Sequence, residues 1–155
     1  MKRLFILIAI ILQSCSGSKP QDIGFKNSET TGMIRQTLSP CKPTPNCVTS
    51  YLHNGDREHY YPALKMTKSH KETMTNLINY LNKAPRVKIL IANDHYVYAQ
   101  FTSLVFRFVD DVELFFSPEG LIHFRSASRI GRKDFGVNQK RIQKIDSILN
   151  GPKSP

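Results

Sequence analysis

Residues 125–141 read RSASRIGRKDFGVNQKR. From Arg125 to Lys144 seven residues are basic and one, Asp134, is acidic, a net +6 within twenty residues. Arginine presents a planar fork that grips phosphate or carboxylate through two parallel hydrogen bonds. Gly131 and Gly136 permit backbone shapes that other residues avoid. The stretch then enters a helix start, where free N–H groups favour anions. Arg125, Ser126, Ser128, Arg129, Asp134, Asn138 and Arg141 are therefore candidate anion-binding residues. The same residues admit a structural role. Val109-Asp110-Asp111-Val112 lies one hairpin upstream, so Arg125 or Arg129 can pair with Asp110 or Asp111. An enzymatic alternative, a small hydrolase or transferase, would use Asp110, Asp111 and Arg129 as a polar site. Two acids work as acid and base only when environment splits their pKa values. Adjacent strand residues point to opposite faces, which weighs against that pair.

No familiar catalytic signature is present. The chain has no G-x-S-x-G, H-E-x-x-H, Walker loop or G-x-G-x-x-G. Ser126 and Ser128 have no evident base, because His123 precedes Ser126 by three residues and faces the other way on a strand. No cofactor is implied.

Three cysteines, Cys15, Cys41 and Cys47, form an odd set that needs an account. Residues 1–15 read MKRLFILIAIILQSC: two cations, nine apolar residues, then Gln-Ser-Cys. Nine apolar residues are too few to span a bilayer, which takes ~20, but they suit the core of an export signal. The end of the run resembles a bacterial lipobox, with Ser14 a usual residue there and Gln13 a less usual one. That resemblance implies removal of residues 1–14 and acylation of Cys15, a membrane anchor whose strength grows by ~0.8 kcal/mol per buried methylene. Ser16, by similarity to enterobacterial sorting, favours the outer membrane. The expected location is the bacterial cell envelope, lipid-anchored and facing the periplasm.

Residues 16–38 are rich in Ser, Gly, Thr, Lys and Asn and show no hydrophobic period, which predicts a flexible tether over 15–38. Cys41 and Cys47 then remain. An oxidising compartment favours a disulfide between them, across a turn-rich Lys-Pro-Thr-Pro-Asn stretch. Free thiols remain open, as does a Cys2His2 metal set of Cys41, Cys47, His53 and His59. The metal spacing is not the short C-x2-4-C of zinc folds.

These residues need elements to hold them. Ser69-His70-Lys71-Glu72 is a capping box, and Met74, Leu77, Ile78 and Leu81 follow at the spacing of one helical face. The pattern predicts a helix over about 70–83. Strands follow over 86–93, 96–106, 111–117 and 121–127, joined by turns short enough to demand antiparallel neighbours. A last helix carries Ile142, Ile145 and Leu149 inward, with Asn138 as its N-cap and Gly151-Pro152 as its stop. The expected fold is α+β: a four-stranded antiparallel meander flanked by an N-terminal and a C-terminal helix, one domain over residues 39–155. The sheet's second face is expected either to lie under residues 39–68 or to be a binding surface.

Three stretches in order carry a resemblance: Cys41-Lys42-Pro43-Thr44-Pro45-Asn46-Cys47-Val48-Thr49-Ser50, then Phe108-Val109-Asp110-Asp111-Val112-Glu113, then Arg125-Ser126-Ala127-Ser128-Arg129-Ile130-Gly131 with Asp134-Phe135-Gly136-Val137-Asn138 and Arg141. They resemble the bacterial and plastid family called domain of unknown function 1499, over about residues 39–149. Lys42 replaces the usual proline; Thr44 and Thr49 replace serines. The resemblance implies one fold unit whose motif positions matter together. It implies no activity.

The whole chain of 155 residues has 22 basic and 12 acidic side chains, a net +10 that loss of Lys2 and Arg3 lowers to +8. Its length excludes a multidomain enzyme, a TIM barrel and a long repeat array. Its charge points to anionic partners. Export makes nucleic acid an unexpected one. The expected partners are the membrane, through the anchor, and an anionic lipid, an anionic glycan or an acidic protein. The expected role is a binding or interaction module, with a structural envelope protein as the blander alternative.

Overall fold

A computed structural model describes residues 26–30, 33–132 and 135–151. Cys15 and Asp134 lie outside the described residues. The chain runs β1 (Lys26–Thr30), β2 (Met33–Thr37), β3 (Cys47–Thr49), β4 (Leu64–Lys65), α1 (His70–Lys83), β5 (Val87–Ala92), β6 (Tyr96–Thr102), β7 (Val109–Phe116), β8 (Leu121–Ser128) and α2 (Val137–Asn150).

The α+β class holds, with six strands in the main sheet rather than four. Strands β5 to β8 pair in sequence order, and all their pairings are antiparallel. Strands β3 and β4 share the outer edge of β8, opposite Arg125–Ala127 and Leu121–Ile122 respectively. Segments of two and three residues carry no readable period, so this edge was invisible to pattern. Strands β1 and β2 form a separate antiparallel pair, Lys26 opposite Thr37, inside the stretch expected to be an irregular tether. A polar pair with no apolar alternation gives no strand signal.

Ser69 caps α1 as its sequence requires: the Glu72 N–H donates to Ser69 Oγ at 3.2 Å. Thr73, Leu77 and Leu81 are buried along one face. Helix α2 departs from expectation at its start. Its cap is Gly136 in the left-handed region (φ 74°), a conformation that favours glycine, and Asn138 lies inside the helix. Strand β6 ends at Thr102, four residues before the end of its β-prone run. Arg107 takes φ 56° in the loop that follows.

Alternation along the strands gives the sheet two distinct faces. One packs under both helices, where Val97, Val112, Leu114, Phe116, Ile122 and Phe124 meet Leu77, Leu81, Ile142, Ile145 and Leu149. Each such buried side chain contributes about 1.5–3 kcal/mol of transfer free energy. On the second face Tyr96, Tyr98 and Phe115 are covered by Leu38 and Tyr51. Leu38 and Ser39 are both buried, so the folded unit begins at or before Leu38. No described helix is long and apolar enough to cross a membrane.

Candidate functional site

Strand register decides where the motif side chains go. In β7, Asp110 points to the helix-covered face while Asp111 and Glu113 point to the other. Across the ladder Glu113 is opposite Arg125 and Asp110 opposite Ser128. Each acid meets its own arginine.

On the second face, Arg125 Nη1 donates to Glu113 Oε2 at 3.3 Å, with both side chains almost wholly enclosed. Tyr96 Oη donates to the other Glu113 oxygen at 2.7 Å. One step along, Arg129 grips Asp111 with both arms of its fork, Nε to Oδ2 at 2.8 Å and Nη2 to Oδ1 at 2.9 Å. Tyr98 Oη also donates to Asp111 Oδ1, at 2.7 Å. The hydrogen bonds to Asp111 hold the Arg129 guanidinium pKa above its ordinary value. Burial, aided by the hydrogen bond to Asp111, pushes the Tyr98 phenol up to about 12. Burial and the Glu113 charge raise Tyr96 as well.

On the helix face, Arg141 reaches from α2 to Asp110, Ser126 and Asn138 at once. Its guanidinium lies 4.7 Å from the centre of the Phe101 ring, a favourable cation–ring contact. Ser126 Oγ donates to Asn138 Oδ1. Asn138 Nδ2 donates to Ser128 Oγ at 3.1 Å and to the Asn46 carbonyl at 2.9 Å. Its side chain is thus a buried crosslink and not a helix cap.

The cysteine loop joins the same network. Cys41 and Cys47 form a disulfide. Asn46, next to it, donates from Nδ2 to the Gly131 carbonyl at 2.6 Å, and its own carbonyl accepts from Ser128 N–H at 3.0 Å. His59 ties the loop from below, with Nδ1 2.6 Å from Asp56 Oδ2 and Nε2 3.0 Å from the Thr44 carbonyl. The Cys2His2 alternative is removed, because both cysteines are joined to each other and His59 is engaged elsewhere. No group of three or more His, Cys, Asp or Glu fit to hold a metal occurs among the described residues.

Of the candidate anion-binding residues, Arg125, Ser126 and Asn138 are buried. Arg129 and Arg141 have their guanidinium groups on Asp111 and Asp110, and Ser128 bonds Asn138. The three arginines are brought to one region of the fold but onto two faces, each already facing an acid. The pairing of Arg129 with Asp111 is one of those the sequence suggested. Glu113 as the partner of Arg125, and Asp110 as the partner of Arg141, were missed. The signal was there in part: two-residue periodicity places Glu113 with Asp111 on one face, once the register is known. The two-acid enzymatic site is not assembled, since Asp110 and Asp111 project to opposite faces and different arginines.

Sequence reasoning also missed Ser50. Its Oγ accepts from the Phe124 N–H at 2.8 Å and lies 3.2 Å from His123 Nδ1. His123 stacks on Tyr51, centroids 4.4 Å apart. Burial lowers the His123 pKa, with the Glu119 charge opposing. The two residues are 73 apart in sequence, so no spacing could reveal the contact. Ser50 extends the β8 ladder and is bound to backbone.

Cations remain in solvent at one end of the sheet. Arg107, in the β6–β7 loop, and Arg132, beyond β8, are exposed and make no ion pair among the described residues. A cleft of about 510 Å³ lies elsewhere, between β4 and the end of α2, lined by Tyr61, Pro62, Leu64, Asp146 and Asn150 among others.

Searches of curated proteins and of solved structures found no match. A family model described as protein of unknown function, DUF1499, matches residues 37–149. That match runs from the last residue of β2 to the final turn of α2 and takes in all three stretches that converge on Asn46 and Asn138, and the chain belongs to this family.

Proposed function

We propose that this chain is a lipid-anchored binding module of the bacterial cell envelope, facing the periplasm from the outer membrane, that meets a phosphate-bearing anionic component through one end of its sheet. The observation that carries the reading is a division among the arginines. Arg125, Arg129 and Arg141 are used internally, against Glu113, Asp111 and Asp110. Arg107 and Arg132 stand in solvent where β6, β7 and β8 leave the sheet. The internal pairs make a stiff platform, and the outer pair offers the charge that a phosphate needs. The anchored location is supported by the cation–apolar–Cys15 order of residues 1–15. The Cys41–Cys47 disulfide agrees with an oxidising compartment.

Titration of the full chain with phosphorylated envelope glycolipid at rising salt tests this. Binding is expected to weaken as salt screens the exposed cations, and to weaken roughly tenfold in an Arg107→Ser/Arg132→Ser double variant. Equal affinity for wild type and variant would overturn the proposal.

A further inference from the structure

The end of the sheet that carries Arg107 and Arg132 also carries the most exposed apolar side chains among the described residues. Leu104 is 67% exposed, Val105 75%, Phe106 73% and Phe135 87%, with Phe108 and Ile130 about half exposed. Topology gathers them. Thr102 pairs with Val109, Asp110 pairs with Ser128, and Arg129 N–H donates to the Val109 carbonyl at 3.0 Å. The loop at 103–108 and the segment leaving β8 therefore project from the same end. Val87 pairs with Phe101, which brings exposed Arg86 to that end too.

The 103–108 loop is a formed tip. Ser103 N–H donates to the Phe108 carbonyl at 2.8 Å, and Phe108 N–H donates to Ser103 Oγ at 2.9 Å. Arg107, between Phe106 and Phe108, sits at φ 56°, a left-handed conformation that costs ~1–2 kcal/mol for a residue with a side chain. The two rings stack, centroids 5.4 Å apart. Phe135 adopts a similar φ of 52°. So two bulky side chains are held outward by strained backbone.

Exposed apolar patches rimmed by charge mark protein or membrane contacts. Three features favour a bilayer. The apolar groups sit on two separate segments, the 103–108 loop and the stretch that carries Ile130 and Phe135. Arginine alternates with them; residues 103–108 contain no acid, and residues 129–137 hold three cations against one acid, Asp134. Aromatic and aliphatic side chains interleaved with cations suit the boundary between headgroups and acyl chains of anionic lipid.

Resting on the anchored-module reading, we infer that this tip docks into the surface of an anionic bilayer, Phe106, Phe108 and Phe135 entering the headgroup boundary while Arg86, Arg107 and Arg132 meet lipid phosphates. Cys15 lies eleven residues before Lys26, where β1 begins, a span of at most about 40 Å of fully extended chain. A weak contact then suffices, because the anchor raises the local concentration of lipid.

The chain has no tryptophan, so Phe106→Trp installs a single reporter at the tip. The full chain, purified from membranes and reconstituted on vesicles, is compared with an Ile91→Trp control on the edge strand. On vesicles containing phosphatidylglycerol the tip reporter is expected to shift to the blue and to be quenched by brominated acyl chains, while the control is not. Adding Arg107→Ser and Arg132→Ser lowers the docked-to-undocked ratio roughly thirtyfold, at about one elementary contact per cation. An unshifted, unquenched tip reporter on anionic vesicles overturns the inference, as does equal quenching on phosphatidylcholine. If soluble phosphorylated glycan still binds through Arg107 and Arg132 while the tip stays unquenched, docking falls and the binding-module reading stands. If neither occurs, both fall.

Discussion

Asn138 donates from its side chain to the main-chain carbonyl of Asn46, 92 residues earlier, at 2.9 Å. That bond closes the cysteine loop onto α2. Asn138 also accepts from Ser126 and Arg141, and Arg141 holds Asp110 of β7. One amide thus links the loop, β8, α2 and, through Arg141, β7. The three sequence stretches that mark the family occur together because they are one piece of structure.

Asn138→Ala removes the amide and leaves Ser126 and Arg141 without their shared acceptor. An orphaned buried polar group costs ~1–3 kcal/mol. Urea unfolding of Asn138→Ala is expected to show a loss of that size. A loss within error of zero would show that the crosslink is incidental.

The Glu113–Arg125 pair is enclosed in the second face. Removing one member of a buried pair costs ~3–5 kcal/mol, whereas replacing both with apolar groups is often neutral. Glu113→Gln alone should therefore destabilise strongly, and Glu113→Leu/Arg125→Met should recover much of the loss. A double-mutant cycle by chemical denaturation checks this, and additive losses would contradict it.

Histidine sets an acid limb to stability. Burial holds His123 below its ordinary 6.5, and His53 is lowered for the same main reason. As pH falls, the unfolded chain takes up these protons first, so stability is fully present above ~6.5 and is lost between that value and the lowered folded pKa. Tm should fall as pH is lowered through 6.5, and the drop should shrink in His123→Gln. An unchanged drop would remove His123 from the account.

Acylation of Cys15 has a direct readout. Wild-type chain should fractionate with membranes and carry the mass of two or three acyl chains. Cys15→Ser should lose that mass and remain uncleaved. A normally cleaved, unacylated wild type would contradict the anchor.

Much of the fold could be read from the sequence where a period ran for six residues or more. Ser69 to Leu81 gave α1, and the alternations from Val87 onward gave four strands of the sheet. Strands β3 and β4 escaped because they are held by pairing to β8 and have no pattern of their own. The arginine candidates were found by type and density. Their roles were not, because an arginine's role depends on the acid across the ladder. Shifting β7 by one residue would carry Glu113 away from Arg125 and bury it among the apolar side chains under the helices. The exposed tip was misread for a related reason: Leu104, Val105 and Phe106 have strand-forming types, yet the sheet ends at Thr102 and leaves them in solvent.

The proposed division has Arg125 and Arg129 holding the fold and the exposed Arg107 and Arg132 meeting the partner. Its most direct test measures Tm and affinity for anionic vesicles on the same four single variants. Arg125→Met and Arg129→Met are expected to lower Tm, with binding unchanged per folded molecule. Arg107→Ser and Arg132→Ser are expected to leave Tm unchanged and each to weaken binding several-fold. Weakened binding in folded Arg125→Met or Arg129→Met, with Arg107→Ser and Arg132→Ser silent, would contradict it.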